Sequence, residues 1–341
     1  MRIFKALLYC LSAAAIPSRA LAQTSAGGES FEFLLLDANA RAVAMGGAYT
    51  ALATDANALL YNPAGLARVK MHEATFMHNQ YLQGLTQEYL SMATASGWSA
   101  SFNYFNFGSI DRTTLSQQSG GIGEFGLSNM ALGAGYGWNY GALSLGGGLK
   151  YIRETADNIT AAGCAADIGA LLDIKRLPGL TMGAALQNMG PAVKFISKRE
   201  KPPFLIRGGM AYSFNAFNSL SVAALDVSKV DSDKLRFGLG AEILLNNVIA
   251  LRAGFTTRNE AGIGLTAGVG WQWKSGSIDY ALAPFGDLGL AHRISLNYRW
   301  GNTGAKSAIK KTAFKPVPPR QPAPTAPQKS KPGIKNPRLT R

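Results

Sequence analysis

"IGLTAGVGWQWK", residues 263–274, alternates without a break. Ile263, Leu265, Ala267, Val269, Trp271 and Trp273 fall on one side, and Gly264, Thr266, Gly268, Gly270, Gln272 and Lys274 on the other. Side chains of a strand point to opposite faces with period two, so this segment is a β-strand with one apolar face and one small or polar face. The segment before the chain's last tryptophan repeats the pattern, with Ile294, Leu296, Tyr298 and Trp300 alternating with Arg293, Ser295, Asn297 and Arg299. Soluble sandwiches alternate too. Tryptophan and tyrosine at the strand ends favour a membrane, because their rings settle at the membrane–water interface.

Carried along the chain, the same reading gives about fourteen strands. They lie near 72–81, 86–95, 97–106, 128–139, 142–153, 162–174, 179–189, 203–214, 218–227, 233–245, 247–257, 262–273, 276–285 and 290–300. Tight joins at 96–97, 140–141, 175–178, 215–217, 246–247 and 275–276 alternate with longer ones, notably 107–127 and 190–202. Bacterial barrels join their strands in this way, with short periplasmic turns and longer outer loops. The expectation is an all-β, transmembrane outer-membrane β-barrel of antiparallel strands over 71–301. An even strand number places both termini on the periplasmic side.

What lies ahead of the strands agrees. Arg2 and Lys5 precede an apolar stretch over 6–16, then Pro17 and the small-residue site Ala20-Leu21-Ala22, which reads as a signal peptide over 1–22. The apolar run is shorter than the roughly 20 residues that a spanning helix needs. Cys10 leaves with the signal, so Cys164 is the mature chain's single cysteine. That excludes an internal disulfide or a cysteine-based zinc site and predicts a small packed residue. Residues 23–70 hold two short helical stretches, 38–44 and 55–61, separated by Gly46-Gly47 and closed by Asn62-Pro63. A fourteen-stranded barrel encloses space to be filled, so this segment is expected to be a hatch. Inward small residues such as Gly264, Gly268, Gly270, Gly209 and Ala211 would let it approach the wall.

The formal net charge is +14. Ten of the basic residues fall after Gly301, with eight prolines and no Asp or Glu. Residues 302–341 therefore read as a disordered, basic, Pro-rich periplasmic tail suited to peptidoglycan or anionic lipid, or as a solvated spacer, and the charge does not call for nucleic acid. For catalysis the acid–base candidates are His72, His78 and His292, none with an assigned nucleophile, and His292 is placed on the lumen side. "GIGEFG", residues 121–126, matches a dinucleotide fingerprint in letters but lies in a glycine-rich loop without the strand–helix context. The reading is of a non-enzyme without cofactor or metal. Lumen charges of both signs, Arg207, Arg236, Glu242, Arg252, Lys274, Asp279, Arg293 and Arg299, are expected to fasten the hatch.

Two stretches carry a family resemblance. "ARAVAMGGAYTALATDANALLYNPAGLARV", from Ala40, and "IDYALAPFGDLGLAHRISLNYRW", from Ile278, resemble the two ends of the PorV/PorQ family of outer-membrane proteins, relatives of the FadL long-chain fatty-acid transporters. The resemblance covers roughly residues 31–301. It implies a fourteen-stranded barrel with an N-terminal plug, with Asn62, Pro63, Ala64 and Gly65 as hatch residues and Gly286, Asp287, Gly289 and His292 at the last outer loop and strand. It also implies a function: an adaptor of type IX-like protein secretion, contacting a translocon and the C-terminal domains of its cargo. The alternatives are a FadL-like transporter of hydrophobic compounds, to whose pocket Leu59, Leu60, Tyr61 and Leu66 would contribute, and a generic structural protein embedded in outer-membrane lipid. The Pro/Lys tail departs from the family pattern.

Overall fold

The computed structural model describes residues 30–301 apart from 120, 122, 195–198, 232 and 260. The signal peptide, residues 23–29 and the basic tail lie outside the described residues. Among the described residues sixteen strands follow one another: β1 (His72–Gln80), β2 (Thr86–Ala93), β3 (Trp98–Asp111), β4 (Glu124–Tyr140), β5 (Leu143–Ala156), β6 (Ile159–Asp173), β7 (Leu180–Met189), β8 (Val193–Lys194), β9 (Arg199–Glu200), β10 (Leu205–Ala216), β11 (Ser219–Val230), β12 (Leu235–Leu245), β13 (Ile249–Thr256), β14 (Leu265–Trp273), β15 (Gly276–Pro284) and β16 (Leu290–Trp300).

Fourteen of them form one closed antiparallel barrel, while β8 and β9 make a separate small hairpin between β7 and β10. The last strand closes onto the first, running from His72↔Trp300 to Gln80↔His292. Closure pairs every strand on both sides, which is why a sheet can sit in hydrocarbon without orphaned backbone groups. Among the described residues no helix is long and apolar enough to cross a membrane.

Period-two patterning fixes which way each strand faces. Leu90, Ile206, Leu239, Val269, Trp271, Ile294 and Leu296 are exposed on the outside. Inward positions on the same wall, among them Ser91, Arg207, Glu242, Arg252, Arg293, Ser295 and Asn297, are buried. That is an apolar wall around a polar lumen, inverted relative to a soluble core. Rings gather at the end with the tight turns, where His72 stacks on Trp300 and Trp98 lies 4.7 Å from Tyr136. The turn at Asn246-Asn247 places both residues at positive φ (51° and 57°), a conformation asparagine tolerates and a two-residue hairpin demands.

Several expectations need correction. The join expected over 107–127 is shorter, because after a register shift between Asn106 and Ser109 the β3–β4 ladder continues through Ile110↔Phe125 and Asp111↔Glu124. The "GIGEFG" stretch is therefore not wholly a loop: its Glu124, Phe125 and Gly126 are ladder residues of β4. Gly264 precedes β14 at φ 77°, where an added Cβ would strike the Thr256 carbonyl oxygen; it makes a bend and does not face the hatch. Lys274 is exposed in the β14–β15 turn, outside the lumen. Cys164 is exposed rather than packed. His292 lies on the outer face, since it shares parity with Ile294 and Leu296, and its Nδ1 is 2.7 Å from the Tyr280 hydroxyl.

Candidate functional site

The lumen is occupied by the segment that precedes β1. Its helix α1 (Ala40–Ala44) is capped by Asn39, whose side chain accepts from the Ala42 amide. Such a cap satisfies one of the first-turn donors that a helix leaves free. Gly46 and Gly47 then turn the chain at φ 65° and 74°. Gly46 runs against the Phe255 and Leu239 carbonyls, so closely that a Cβ has no room. A second short helix α2 (Ala58–Tyr61) ends at Asn62, and Pro63–Arg68 continues as a 3-10 helix with the proline in its first turn.

Asn62 is fully buried and its amide is used at both ends. Its Nδ2 donates to the Thr50 carbonyl at 3.0 Å and to that of Ala170 in β6 at 3.1 Å, while its Oδ1 accepts from the Ala64 amide at 3.2 Å. One side chain therefore joins the two halves of the hatch and ties both to the wall. Gly65 has no space for a Cβ, which would run into the Ala53 carbonyl. On the facing wall Gly146 and Gly169 leave room for Pro63 and Asn62. This is why the motif combines an amide, a proline and a glycine within four positions.

Ion pairs fasten the hatch around the lumen. Arg41 of α1 grips Glu242 through Nε at 2.8 Å and Nη2 at 2.6 Å, a two-point contact that also fixes orientation. Arg252 bridges Glu242, at 2.5 Å, to Asp279, at 2.7 Å. Asp279 also accepts from Ser277 and Asn297, both at 3.0 Å. Asp226 of β11 accepts from the Tyr49 amide at 3.1 Å, the Thr50 amide at 2.9 Å and the Thr50 hydroxyl at 2.5 Å. Arg68 meets Asp173 at 2.7 Å near the turn end. Burial pushes the Tyr49 and Tyr61 phenols well above their ordinary value, with the charges of Asp55 and Asp37 respectively as the next cause. Both remain neutral, and the Tyr49 hydroxyl donates to Asp55 at 2.5 Å.

The remaining arginines divide. Arg299 pairs with Glu73 at 3.3 Å. Arg236 of β12 pairs with Asp233 of the loop before that strand rather than with the hatch. Arg207 and Arg293 are buried and stand over the Tyr61 and Tyr81 rings, 5.3 and 5.6 Å from the centroids. Neither the Arg207 Nε nor the Nε and Nη1 of Arg293 has a hydrogen-bond partner among the described residues. Arg207 reaches Asp226 only at 3.9 Å, and Arg258 pairs with Asp37 at 2.7 Å. A lumen with buried arginine nitrogens left over carries spare capacity for an anion.

Beside Arg293, across the Tyr81 ring, is an apolar cluster that the sequence did not disclose. Phe31, Phe33 and Leu34 pack against Phe105, Ile152, Ala161 and Ala165 of the wall, with Tyr81 and Phe107 at the edge. The Tyr81 ring stands edge-on to Phe105 at 6.1 Å and to Phe285 at 5.4 Å. Phe31 also donates its amide to Glu154 at 2.9 Å. Leu59, Tyr61 and Leu66 belong to a different cluster, with Tyr49 and Val69, within the hatch itself, and Leu60 packs against its edge. Inward Phe105 between inward Asn103 and Phe107 was a visible signal in the sequence, but its partners far earlier in the chain were not. Gly286, Asp287 and Gly289 form the β15–β16 connection, where Gly286–Leu288 makes a 3-10 turn.

Residues 8–169 match the model of an uncharacterised protein family, UPF0164. A curated UPF0164 protein of Treponema pallidum (strain Nichols) is 30% identical over 179 residues, 47% of this chain and 44% of that protein. The chain thus spans less than half the length of the curated relative it matches. Among solved structures, the CymD monoaromatic hydrocarbon channel is similar over 81% of this chain and 100% of its own, with a TM-score of 0.58 at 12% identity. A Pseudomonas aeruginosa FadL homologue covers 77% and 98%, at a TM-score of 0.53 and 12% identity. The Pseudomonas putida toluene transporter TodX covers 77% and 96%, at 0.52 and 13%. At such identities the likeness shows the fold, which is that of FadL-like outer-membrane barrels. These matches carry neither the PorV/PorQ name nor a secretion role.

Proposed function

We propose that this barrel passes hydrophobic compounds across the outer membrane, and that the compounds carry an acidic group. The observation that carries the reading is the apolar cluster of Phe31, Phe33 and Leu34 beside Arg293, whose buried Nε and Nη1 have no partner among the described residues. Aromatic side chains of the chain's own N-terminal segment occupy a space that suits an apolar ligand, and the Arg293 guanidinium suits its carboxylate. Solved barrels of this fold that transport monoaromatic hydrocarbons support the reading. The secretion-adaptor reading rests on the PorV/PorQ resemblance and has no such feature behind it.

Equilibrium binding of a radiolabelled straight-chain carboxylic acid and of a neutral aromatic, by the full chain in detergent micelles, tests the proposal. Saturable binding of the acid is expected, weakened about tenfold in Arg293→Gln, the loss of one charged hydrogen bond. Absence of saturable binding for both probes, with capture of exported proteins through a shared C-terminal domain, would return the protein to the secretion reading.

A further inference from the structure

A groove of 440 Å³ opens on the outer face of the wall, away from the hatch. Its floor is β10 at Gly208, which lies between the outward side chains of Ile206 and Met210. Register sets its sides: Gly208 lies across from Val227 of β11, Met210 from Leu225 of β11 and from Met182 of β7. A Cβ at Gly208 would come no nearer than 3.9 Å to another heavy atom, the Gly183 carbonyl oxygen, so the missing side chain is not required by close packing. The glycine leaves a gap in an otherwise continuous row of large apolar side chains.

At the loop end the groove is closed by Lys229, paired in register with Ile206 on one side and Leu235 on the other. Lys229 is exposed on the outer face, and its ammonium makes no hydrogen bond or ion pair among the described residues. From Lys229 down to Leu225 is four residues, or roughly 13 Å of strand. An apolar trough of that length ending in a free ammonium matches a molecule with an acyl chain and an anionic head. In a barrel wall that faces the bilayer, the molecule of that description in contact with it is a lipid.

We propose that the groove over Gly208 is a binding site for a phosphate-bearing anionic lipid, with one acyl chain seated over Gly208 beside Val227 and the phosphate on Lys229. The site is separate from the lumen and does not depend on what the lumen carries. Lysine near the head-group level contributes about 1 kcal/mol toward an anionic lipid, so the charge selects the lipid while the trough supplies the contact area.

Native mass spectrometry of the delipidated full chain, in micelles doped with phosphatidylglycerol or with phosphatidylcholine, reads the site directly. One phosphatidylglycerol is expected to be retained about fivefold more tightly than phosphatidylcholine. Lys229→Gln should reduce phosphatidylglycerol to the phosphatidylcholine level, and Gly208→Leu should displace both lipids. Heat-modifiable gel mobility establishes that each variant is folded. Equal retention of the two lipids by the parent protein, or undiminished retention by both variants, would overturn the proposal. Competition by inorganic phosphate would mark a simple anion contact, and a dimer dissociated by Gly208→Leu would mark a protein contact; either would overturn it as well.

Discussion

Asn62 shows how much one buried side chain can hold. Its three hydrogen bonds join Thr50, Ala64 and Ala170, and alanine would leave the carbonyls and the amide without partners. A buried donor or acceptor left alone costs about 1–3 kcal/mol. Asn62→Ala should therefore lower the protection of hatch amides against hydrogen exchange by about 2–3 kcal/mol, while barrel amides stay protected. Unchanged exchange over residues 40–68 would refute that role. Gly65→Ala should act in the same direction for a different reason, since its methyl must displace the Ala53 carbonyl; overpacking of this kind costs about 1–3 kcal/mol. The Asn-Pro-Ala-Gly motif was visible in the sequence. The contacts that make each position necessary were not, because Ala170 is 108 residues away.

The chain of charges from α1 to β15 belongs to the scale of elements. Glu242 neutralises Arg41 from the hatch and Arg252 from β13, and Arg252 continues to Asp279. Glu242→Gln would leave the half-buried Arg41 without its carboxylate and the buried Arg252 with Asp279 alone, and breaking a buried pair costs about 3–5 kcal/mol. The α1 end of the hatch should loosen, and single-channel conductance in planar bilayers should rise above that of the parent protein. In Arg41→Gln/Glu242→Gln the effect should be smaller than the sum of the single changes, as expected of partners in one network. Additive conductances would separate the two residues. The sequence showed arginines and carboxylates on inward positions, yet Arg236 turned to the loop before its strand and Arg299 to Glu73. Parity gives the face a side chain points to, and only the neighbouring strands give its partner.

For the whole molecule, the decisive property is that the apolar face points outward. Leu296 is 44% exposed at the middle of β16. Arginine there should cost roughly 2–4 kcal/mol at mid-membrane depth, and Leu296→Arg should refold poorly into lipid vesicles, seen as a loss of the heat-modifiable band. Leu115, 96% exposed in a loop, should accept arginine without effect. Equal refolding of both variants would contradict a membrane-embedded wall.

Strand number, antiparallel order and the tight turns were legible from residues alone. Each rests on local periodicity or on turn chemistry, and period two survives whatever surrounds the strand. His292 was misplaced against that same rule: it shares parity with Ile294 and Leu296, so the alternation itself puts it on the outer face, where the structure has it. What the tertiary structure decided is the filling of the lumen, with Phe31 and Phe33 against Phe105, and the gap over Gly208 beside Lys229. The first arises where the N-terminal segment meets a wall far along the chain, and the second where β7, β10 and β11 lie side by side in register, which alone fixes the side chains that border the gap.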